Sequence, residues 1–303
     1  MNFLGKRYLF FTISFFLIVP GLIILFMGGL PLSIDFTGGS LLEVTFADAP
    51  PQPAEVLAIY KDAGIKDPKV QTTENGGIII RSEFLDNEKR DAVLSAMNEA
   101  FGETTVQRFD SVGPSIGKQV TSRAAMAIAV SSFLVVLFIA WSFRGVKGAY
   151  HYGISAVLAM VHDVAIIFSI SAWGGLLFGW EMDSLFLTAL LTVIGFSMQD
   201  SIVVFDRIRE NSSTLRRLDY ETLVNHSIVQ TLQRSINTQL MTVEFLLLAL
   251  ALFGGVTLRQ FVIVLLVGLM SGTYSSIFIA APILVVWENK EWRTWFKKDK
   301  AIA

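Results

Sequence analysis

The sequence predicts an α-helical membrane protein in which six transmembrane helices carry a small ferredoxin-like α+β domain. Its 303 residues are 53% hydrophobic and only 17% charged, and its mean hydropathy is +0.57. That composition is too apolar for a soluble protein of this length. Six apolar segments are each long enough to cross a bilayer, which takes about 20 helical residues. A polar segment after the first of them alternates strand and helix patterns, as an α+β domain does.

The six apolar segments have the length and the scarcity of charge that membrane-spanning helices need. They are residues 9–30, 124–143, 150–178, 185–205, 236–253 and 261–287. Lys6 and Arg7 precede the first segment, as basic residues precede the core of a signal peptide. This apolar core is too long for a signal peptide, and no small-residue cleavage site follows it, so we expect an uncleaved anchor.

Basic residues gather on one side of the membrane if the six segments alternate in direction. They are Lys6, Arg7, Arg144, Lys147, Arg207, Arg209, Arg216, Arg217, Lys290, Arg293, Lys297, Lys298 and Lys300. The opposite side has Glu181 and Asp183, and Arg259 is the exception to the pattern. The positive-inside rule therefore predicts that both termini are cytoplasmic.

The polar segment, residues 34–120, is predicted to be an extracytoplasmic ferredoxin-like domain. Residues 34–118 include 14 acidic and 8 basic side chains, a net charge of −6 that suits the non-cytoplasmic side. The predicted elements are a strand at 40–46, a helix at 54–63, strands at 69–73 and 78–81 around an Asn75-Gly76-Gly77 turn, a helix at 86–101 and a strand at 104–109. This β-α-β-β-α-β order is the ferredoxin-like unit.

The chain thus divides into four predicted parts. Residues 1–33 hold the cytoplasmic N-terminus and the first transmembrane helix, and residues 34–120 hold the polar domain. Residues 121–289 hold helices two to six with a cytoplasmic loop at 206–234, and residues 290–303 form a basic cytoplasmic tail. Within the loop, leucines alternate with charges over residues 212–233. This pattern predicts either a helix on the membrane surface or a partner, or a solvated linker.

Asp200 is the most informative residue, because it lies inside the apolar segment 185–205. A carboxylate at the centre of a membrane helix costs about 3 kcal/mol on insertion scales, so an acid there is by default a proton or ion relay. On a helical projection Asp200 lies one step from a stripe of polar and small side chains. The stripe is Ser184, Thr188, Thr192, Gly195 and Gln199. The alternative is a structural carboxylate hydrogen-bonded by its neighbours.

Arg234 stands just before the segment 236–253, and Asn237 and Thr238 follow on its face. An arginine in contact with Asp200 would favour the ionised carboxylate until something moves. The alternative is a cationic anchor at the membrane interface. Glu244 is a second acid within the membrane. It either shares the relay or serves as a hydrogen-bond partner for Asn237, and the sequence leaves both open.

His162 and Asp163 lie in the middle of the segment 150–178. One histidine without a further ligand pattern argues against a metal site. We favour structural hydrogen bonding within the bundle for both residues, with a relay role for Asp163 as the alternative.

Motifs of covalent and cofactor chemistry are missing from the sequence. The chain has no cysteine, which excludes thiolate nucleophiles and cysteine-bound zinc. Gly38-Gly39 is not followed by the Lys-Ser/Thr of a phosphate-binding loop, and no nucleophile elbow or HExxH occurs. Gly38-Gly39 is better interpreted as a backbone turn. We therefore expect no cofactor, no metal, no nucleic acid and no enzymatic activity.

Six motifs together resemble the SecF family, one half of the SecD–SecF accessory complex of the bacterial Sec protein-export pathway. They are residues 35–39 (Asp-Phe-Thr-Gly-Gly), 112–117, the pair 162–163, 195–211, 230–238 and 253–255. The resemblance covers nearly the whole chain, and the 195–211 motif is the most specific part. Phe196 and Gln199 stand where the family commonly has Tyr and Asn, and Glu244 is an additional acid.

The resemblance implies a resistance-nodulation-division (RND) fold, halved, so that the chain is a six-transmembrane-helix RND half-bundle and SecD supplies the other half. It implies a protein of the bacterial inner membrane that couples proton flow to late steps of preprotein export, with Asp200 as proton carrier and Arg234 as its partner. The implied partners are SecD, the SecY-SecE-SecG translocon, the translocating preprotein and membrane lipids. The alternative is an RND-type efflux transporter of small molecules or lipids, although the modest polar domain speaks against a drug-binding pocket.

Overall fold

The computed structural model describes residues 3–47, 50–72, 76–144 and 148–291. The chain forms two compact units: a helical unit, Met1–Pro31 with Ala127–Ala303, and an α+β unit, Leu32–Met126. The described helices are α1 Arg7–Gly28, α2 Ile34–Thr37, α3 Pro53–Asp62, α4 Asn87–Phe101, α5 Pro114–Ser142, α6 Ala149–Phe178, α7 Ser184–Thr214, α8 Tyr220–Phe253, α9 Val256–Ser275 and α10 Ala281–Glu288. The described strands are β1 Gly39–Phe46, β2 Lys69–Thr72, β3 Ile78–Ser82 and β4 Thr104–Val112.

Five helical stretches in the described ranges are long and apolar enough to cross a membrane. They are Leu4–Gly28, Pro114–Ser142, Ala149–Phe178, Ser184–Thr214 and Leu258–Glu288. The remaining predicted span, residues 236–253, lies in α8, which is not one of the five. The chain is a helical membrane protein as predicted, but the count of six spans is not confirmed.

The predicted connection at residues 206–234 is mostly helical, which favours the helical interpretation of residues 212–233 over a solvated linker. α7 continues to Thr214, and α8 begins at Tyr220, so only residues 215–219 separate the two helices. The side chain of Asp219 accepts a 2.9 Å hydrogen bond from the Thr222 N–H and caps α8. The leucine-containing residues from Tyr220 onward are therefore continuous with the helix that holds the predicted span 236–253.

A π-helical turn, Ser276–Ala280, joins α9 to α10. Pro282 stands in the first turn of α10. Proline lacks the N–H that an uninterrupted α-helix would use there, and its ring clashes with the carbonyl one turn earlier. The wider turn immediately before it accommodates both defects.

The α+β unit confirms the predicted ferredoxin-like arrangement. Its four strands form an antiparallel sheet in the order β2-β3-β1-β4, and helices α3 and α4 follow β1 and β3 along the chain. The sheet and the helices enclose one apolar core: Leu42, Val44, Val56, Tyr60, Ile65, Ile78, Ile80, Leu85, Val93 and Met97. The predicted turn residue Asn75, the loop residue Lys147 and the basic tail after residue 291 lie outside the described residues.

The glycines of the predicted Gly38-Gly39 turn are fixed by backbone conformation and by close contacts. Gly38 has φ +73° and Gly39 has φ +129°, a region that favours glycine. A Cβ on Gly39 would come within 2.6 Å of the Ser82 carbonyl oxygen, and one on Gly117 within 2.6 Å of the Gly38 nitrogen. The expected turn therefore packs directly against the start of α5.

Tyr60 is fully buried in the α+β core, and its hydroxyl has no hydrogen-bond partner among the described residues. Burial raises the pKa of the Tyr60 hydroxyl above its usual range, because the charged form is desolvated. Tyr60→Phe should stabilise the unit by about 1 kcal/mol at neutral pH, since it removes an unpaired buried hydroxyl.

The same residue should make the α+β unit sensitive to alkali. Below about pH 10 tyrosine is neutral in both states, whereas above it the unfolded chain ionises first and the folded state loses relative stability. Urea unfolding of the segment 32–126 between pH 7 and 11 measures both effects. This account would be contradicted if Tyr60→Phe had a lower free energy of unfolding than the parent. It would also be contradicted if the free energy of unfolding of the variant fell as steeply in alkali as that of the parent.

Candidate functional site

Asp200 lies on α7, half-buried, where α8 and α9 come together. Its Oδ2 accepts a 2.8 Å hydrogen bond from the Thr273 hydroxyl of α9. The same hydroxyl lies 3.1 Å from Oε1 of Gln239 on α8. The buried Nε2 of Gln239 has no acceptor within the described part of the chain. The carboxylate predicted to carry the chemistry is thus held by one hydroxyl on the neighbouring helix.

Arg234 does not touch Asp200. Both residues are described, and the structure records neither a hydrogen bond nor an ion pair between them. Arg234 is exposed and lines a depression of α8 together with Asn237 and Thr238. A direct arginine–aspartate contact therefore has no support in this chain alone, and the paired role of the two residues remains a prediction.

The polar stripe predicted on α7 faces away from the rest of the chain. Ser184, Thr188, Gly195 and Gln199 are exposed, and a Cβ on Gly195 would meet no atom within 4 Å. α8 adds a second uncovered face with Arg234, Asn237 and Thr238. Exposed polar side chains on membrane helices usually face another helix or a wet path rather than lipid. We call these two surfaces the polar faces of α7 and α8.

Glu244 is exposed on α8. It stands seven residues, about 10.5 Å of helix rise, from Asn237. No hydrogen bond joins the two described side chains. That separation gives no support to a contact between Glu244 and Asn237, and both roles considered for Glu244 remain predictions.

Asp163 is a buried carboxylate with four hydrogen-bond contacts to side chains of α6, α7 and α9. It is only 1% exposed. Ser197 of α7 and Ser275 of α9 donate to its Oδ2 at 2.5 and 2.6 Å, and Ser271 of α9 donates to Oδ1 at 2.6 Å. His162 Nδ1 lies 3.0 Å from Oδ1. These contacts fit the favoured interpretation of structural hydrogen bonding.

His162 connects this carboxylate to α1. Its Nε2 lies 2.9 Å from the Ser14 hydroxyl, which donates to the Tyr274 hydroxyl at 3.3 Å. Tyr274 in turn donates to the Phe10 carbonyl at 2.9 Å, and its ring stacks on His162 with the centroids 6.0 Å apart. We call Ser14, His162, Asp163, Ser197, Ser271, Tyr274 and Ser275 the His-Asp cluster.

Two glycines on α9 let the helices approach closely enough for these contacts. A Cβ on Gly272 would lie 3.1 Å from the Ser197 Cα, and one on Gly268 would lie 2.4 Å from a Val193 methyl. Gly268 and Gly272, which have GxxxG spacing, therefore lie against α7, as small residues do in membrane bundles.

Sequence reasoning missed Thr273, Gln239 and the four serines of the His-Asp cluster, Ser14, Ser197, Ser271 and Ser275. Serine and threonine are common in membrane helices, so none stands out alone. The Ser271–Ser275 spacing, one helical turn, was the available signal for a shared face. In the described ranges, no three metal-ligating side chains of His, Cys, Asp or Glu come together.

Comparison with known proteins gives two family matches. A family model described as protein export membrane protein SecD/SecF, C-terminal, matches residues 92–290. A model of the SecD/SecF GG motif matches residues 23–49.

Curated relatives match over most of the chain. The protein translocase subunit SecF of Anaerolinea thermophila is 62% identical over 300 residues, covering 98% of this chain and 97% of the relative. The SecDF subunit of Thermus thermophilus is 36% identical over 275 residues, covering 88% of this chain but 36% of the relative.

Solved structures agree with these matches. The crystal structure of SecDF from Thermus thermophilus, described as a translocon-associated membrane protein, gives a TM-score of 0.81 at 33% identity over 95% of this chain. The crystal structure of SecDF in a super-membrane-facing form gives a TM-score of 0.68 at 32% identity over 97% of this chain. The chain spans 39% of the length of each solved chain.

Proposed function

Because the chain belongs to the SecD/SecF family of protein-export membrane proteins, we propose that it is an accessory subunit of the Sec translocon that couples proton flow to late steps of preprotein export. The observation that carries the proposal is Asp200, a half-buried carboxylate in an apolar helix, bound to a hydroxyl of the neighbouring helix. Taking up or releasing a proton there changes the charge at a helix contact.

The energy available is adequate for such coupling. A membrane potential supplies about 2.3 kcal/mol per charge per 100 mV. One or two protonation events can therefore bias a two-state element whose forms differ by a few kcal/mol. Asp200 carries the proton. Arg234 compensates the negative charge on Asp200 when the proton leaves, once a partner has brought the two residues together. Glu244 is available as an additional protonatable site.

The uncovered polar faces of α7 and α8 support the proposal that this chain is one part of a larger assembly. A SecD-type half-bundle covering these faces would remove Gln199, Asn237 and Arg234 from lipid. The chain spans 36% of its fused relative SecDF, which leaves room in that relative for a second half. The assembly would stand in the bacterial inner membrane with the termini in the cytoplasm and the α+β unit outside. We propose SecY-SecE-SecG and the emerging preprotein as further partners.

Reconstitution tests the function as a whole. Vesicles that contain the translocon, this chain and the SecD-type chain of the same genome should export a preprotein faster under an imposed proton gradient. Neither chain alone should give that acceleration. A homo-oligomer of this chain that moves a dye across the membrane without the partner would instead support efflux, and acceleration without a gradient would refute the coupling. Neither preprotein export nor efflux requires a covalent reaction by this chain, and we propose none.

Thr273→Val tests the contact with Asp200. The substitution keeps the shape and removes the hydroxyl, and a hydrogen bond to a charged group contributes about 1.5–3 kcal/mol. We expect gradient-driven export to fall about tenfold or more while the chain remains in the membrane. Thr242→Val is the matched control, because among the described residues the Thr242 hydroxyl donates to the Thr238 carbonyl of its own helix and to no group on another helix. Equal effects of the two substitutions would remove Thr273 from the site.

A further inference from the structure

We propose that His162 and Asp163 form a buried imidazolium–carboxylate ion pair, and that its serine contacts hold α7 and α9 in the register that brings Thr273 to Asp200. The ion pair stands on geometry alone. Its positioning role rests on the proposed function of Asp200.

The carboxylate of Asp163 is surrounded by donors. Three serine hydroxyls on two other helices direct their protons at its two oxygens. A carboxyl group that accepts this many hydrogen bonds is stabilised in its ionised form.

A buried negative charge in a membrane helix requires compensation. Asp163 is 1% exposed and His162 is 9% exposed, so water supplies little of it. The basic group in contact is His162, with Nδ1 3.0 Å from Oδ1. Arg234 is exposed on α8 and forms no ion pair with Asp163 in the described part of the chain.

Hydrogen bonds on the other side of the ring accommodate a charged imidazole. Tyr274 donates to the Phe10 carbonyl, and Ser14 donates to the Tyr274 oxygen. The Ser14 oxygen can then accept a proton from Nε2 across 2.9 Å. If Nδ1 also donates to Asp163, both ring nitrogens carry protons, which defines the imidazolium.

The other proton arrangement satisfies fewer groups. If Ser14 donated to Nε2, the ring would be neutral, Tyr274 would lose its donor, and the cluster would carry a net negative charge. The chain of donors also ends at the Phe10 carbonyl, where no further proton can pass. The pair therefore holds its neighbours in place and does not conduct.

The neighbours it holds carry the Asp200 site. Ser197 stands three residues, about 4.5 Å of rise, before Asp200 on α7. Ser271 and Ser275 stand two residues on either side of Thr273 on α9. One carboxylate thus ties both helices at the level where Thr273 meets Asp200. We call Asp163 a positioning residue on this ground.

Nitrogen-15 NMR of the histidine rings measures the charge directly. The full chain, labelled at its three histidines and placed in lipid bilayers with its partner, should show at pH 7.5 a ring with both nitrogens protonated that His162→Gln removes. Two control variants should leave that signal in place: His151→Gln, which removes the ring 3.1 Å from Glu288, and His226→Gln on the exposed side of α8. A signal from His162 with one protonated nitrogen would overturn the ion pair.

Thermal unfolding of single and double variants gives an independent readout. Asp163→Asn and His162→Gln should each lower the melting temperature, and the double variant should lose less than the two shifts added together, since removing one partner strands a buried charge. Additive shifts would contradict the pair.

The positioning role has its own test. Thr273→Val should lower the melting temperature of the parent but change an Asp163→Asn background much less, because the contact it removes is already misaligned there. Equal shifts in both backgrounds would overturn the positioning role while leaving the ion pair and the function of Asp200 intact. Failure of the export assay would refute the proposed function without touching any of these measurements.

Discussion

Replacing Asp200 by asparagine should abolish gradient-driven export while leaving the chain folded in the membrane. Asparagine has nearly the same shape and can still accept the 2.8 Å hydrogen bond from Thr273, so α7 and α9 should remain in contact. It has no ionisable proton at any pH that the cell reaches. The loss should therefore fall on coupling and not on assembly.

The expected size of this effect is the whole acceleration that the gradient provides. Export by the reconstituted translocon with and without a proton gradient measures it, and the amount of protein in the vesicles is the check on insertion. Asp206→Asn is the matched control, because Asp206 lies six residues further along α7, pairs with Arg209 and is exposed. Full acceleration in Asp200→Asn would remove the proton carrier from the proposal.

Gly21→Leu should have the largest effect on folding. α1 and α6 cross at this glycine so closely that a Cβ would lie 1.9 Å from the Ser169 hydroxyl oxygen and 2.5 Å from the Ser169 Cα. The Cα is backbone and cannot rotate away, so the helices must separate. Separation also breaks the 2.7 Å hydrogen bond from Ser169 to the Leu17 carbonyl. Overpacking of this kind costs about 1–3 kcal/mol and more when backbone must move.

Gly28→Leu provides the control for that substitution. Gly28 is in the same helix, and a Cβ there would meet no atom within 4 Å. Thermal unfolding in detergent and the yield of inserted protein should separate the two variants clearly. If both behave alike, the close crossing of α1 and α6 does not contribute to stability, and the link from Ser14 to His162 would need another explanation.

Composition and periodicity predicted the architecture well, because a bilayer and a small α+β core impose strong patterns. The strand at 40–46 and the helix at 86–101 follow from alternation and from a 3.6-residue period, and both are present to within one residue. The connection predicted at residues 206–234 is largely helical, since charged side chains can end an apolar segment without ending a helix. Arg207 with Glu210 and Arg209 with Asp206 support the helical extension.

The site was only partly predictable. Asp200 stands out because a charge in an apolar segment is costly, and that argument needs no structure. Thr273 and Ser275 are inconspicuous in sequence, and their contacts depend on how α9 rotates against α6 and α7. His162 and Asp163 were identified as hydrogen-bonded residues, but the partners on three other helices were not. A one-dimensional pattern gives the face of a helix and does not give its phase relative to a neighbour.

The π turn at Ser276–Ala280 has a consequence for how motion can spread through the bundle. Each widened turn holds an additional residue, so the angular setting of α10 is uncoupled from that of α9. The part of this helix that bears Thr273 can then rotate slightly about its axis while Leu284 and Val285, beyond the π turn, stay buried. A rotation of this kind would confine the response to a proton to the Thr273 side of the turn.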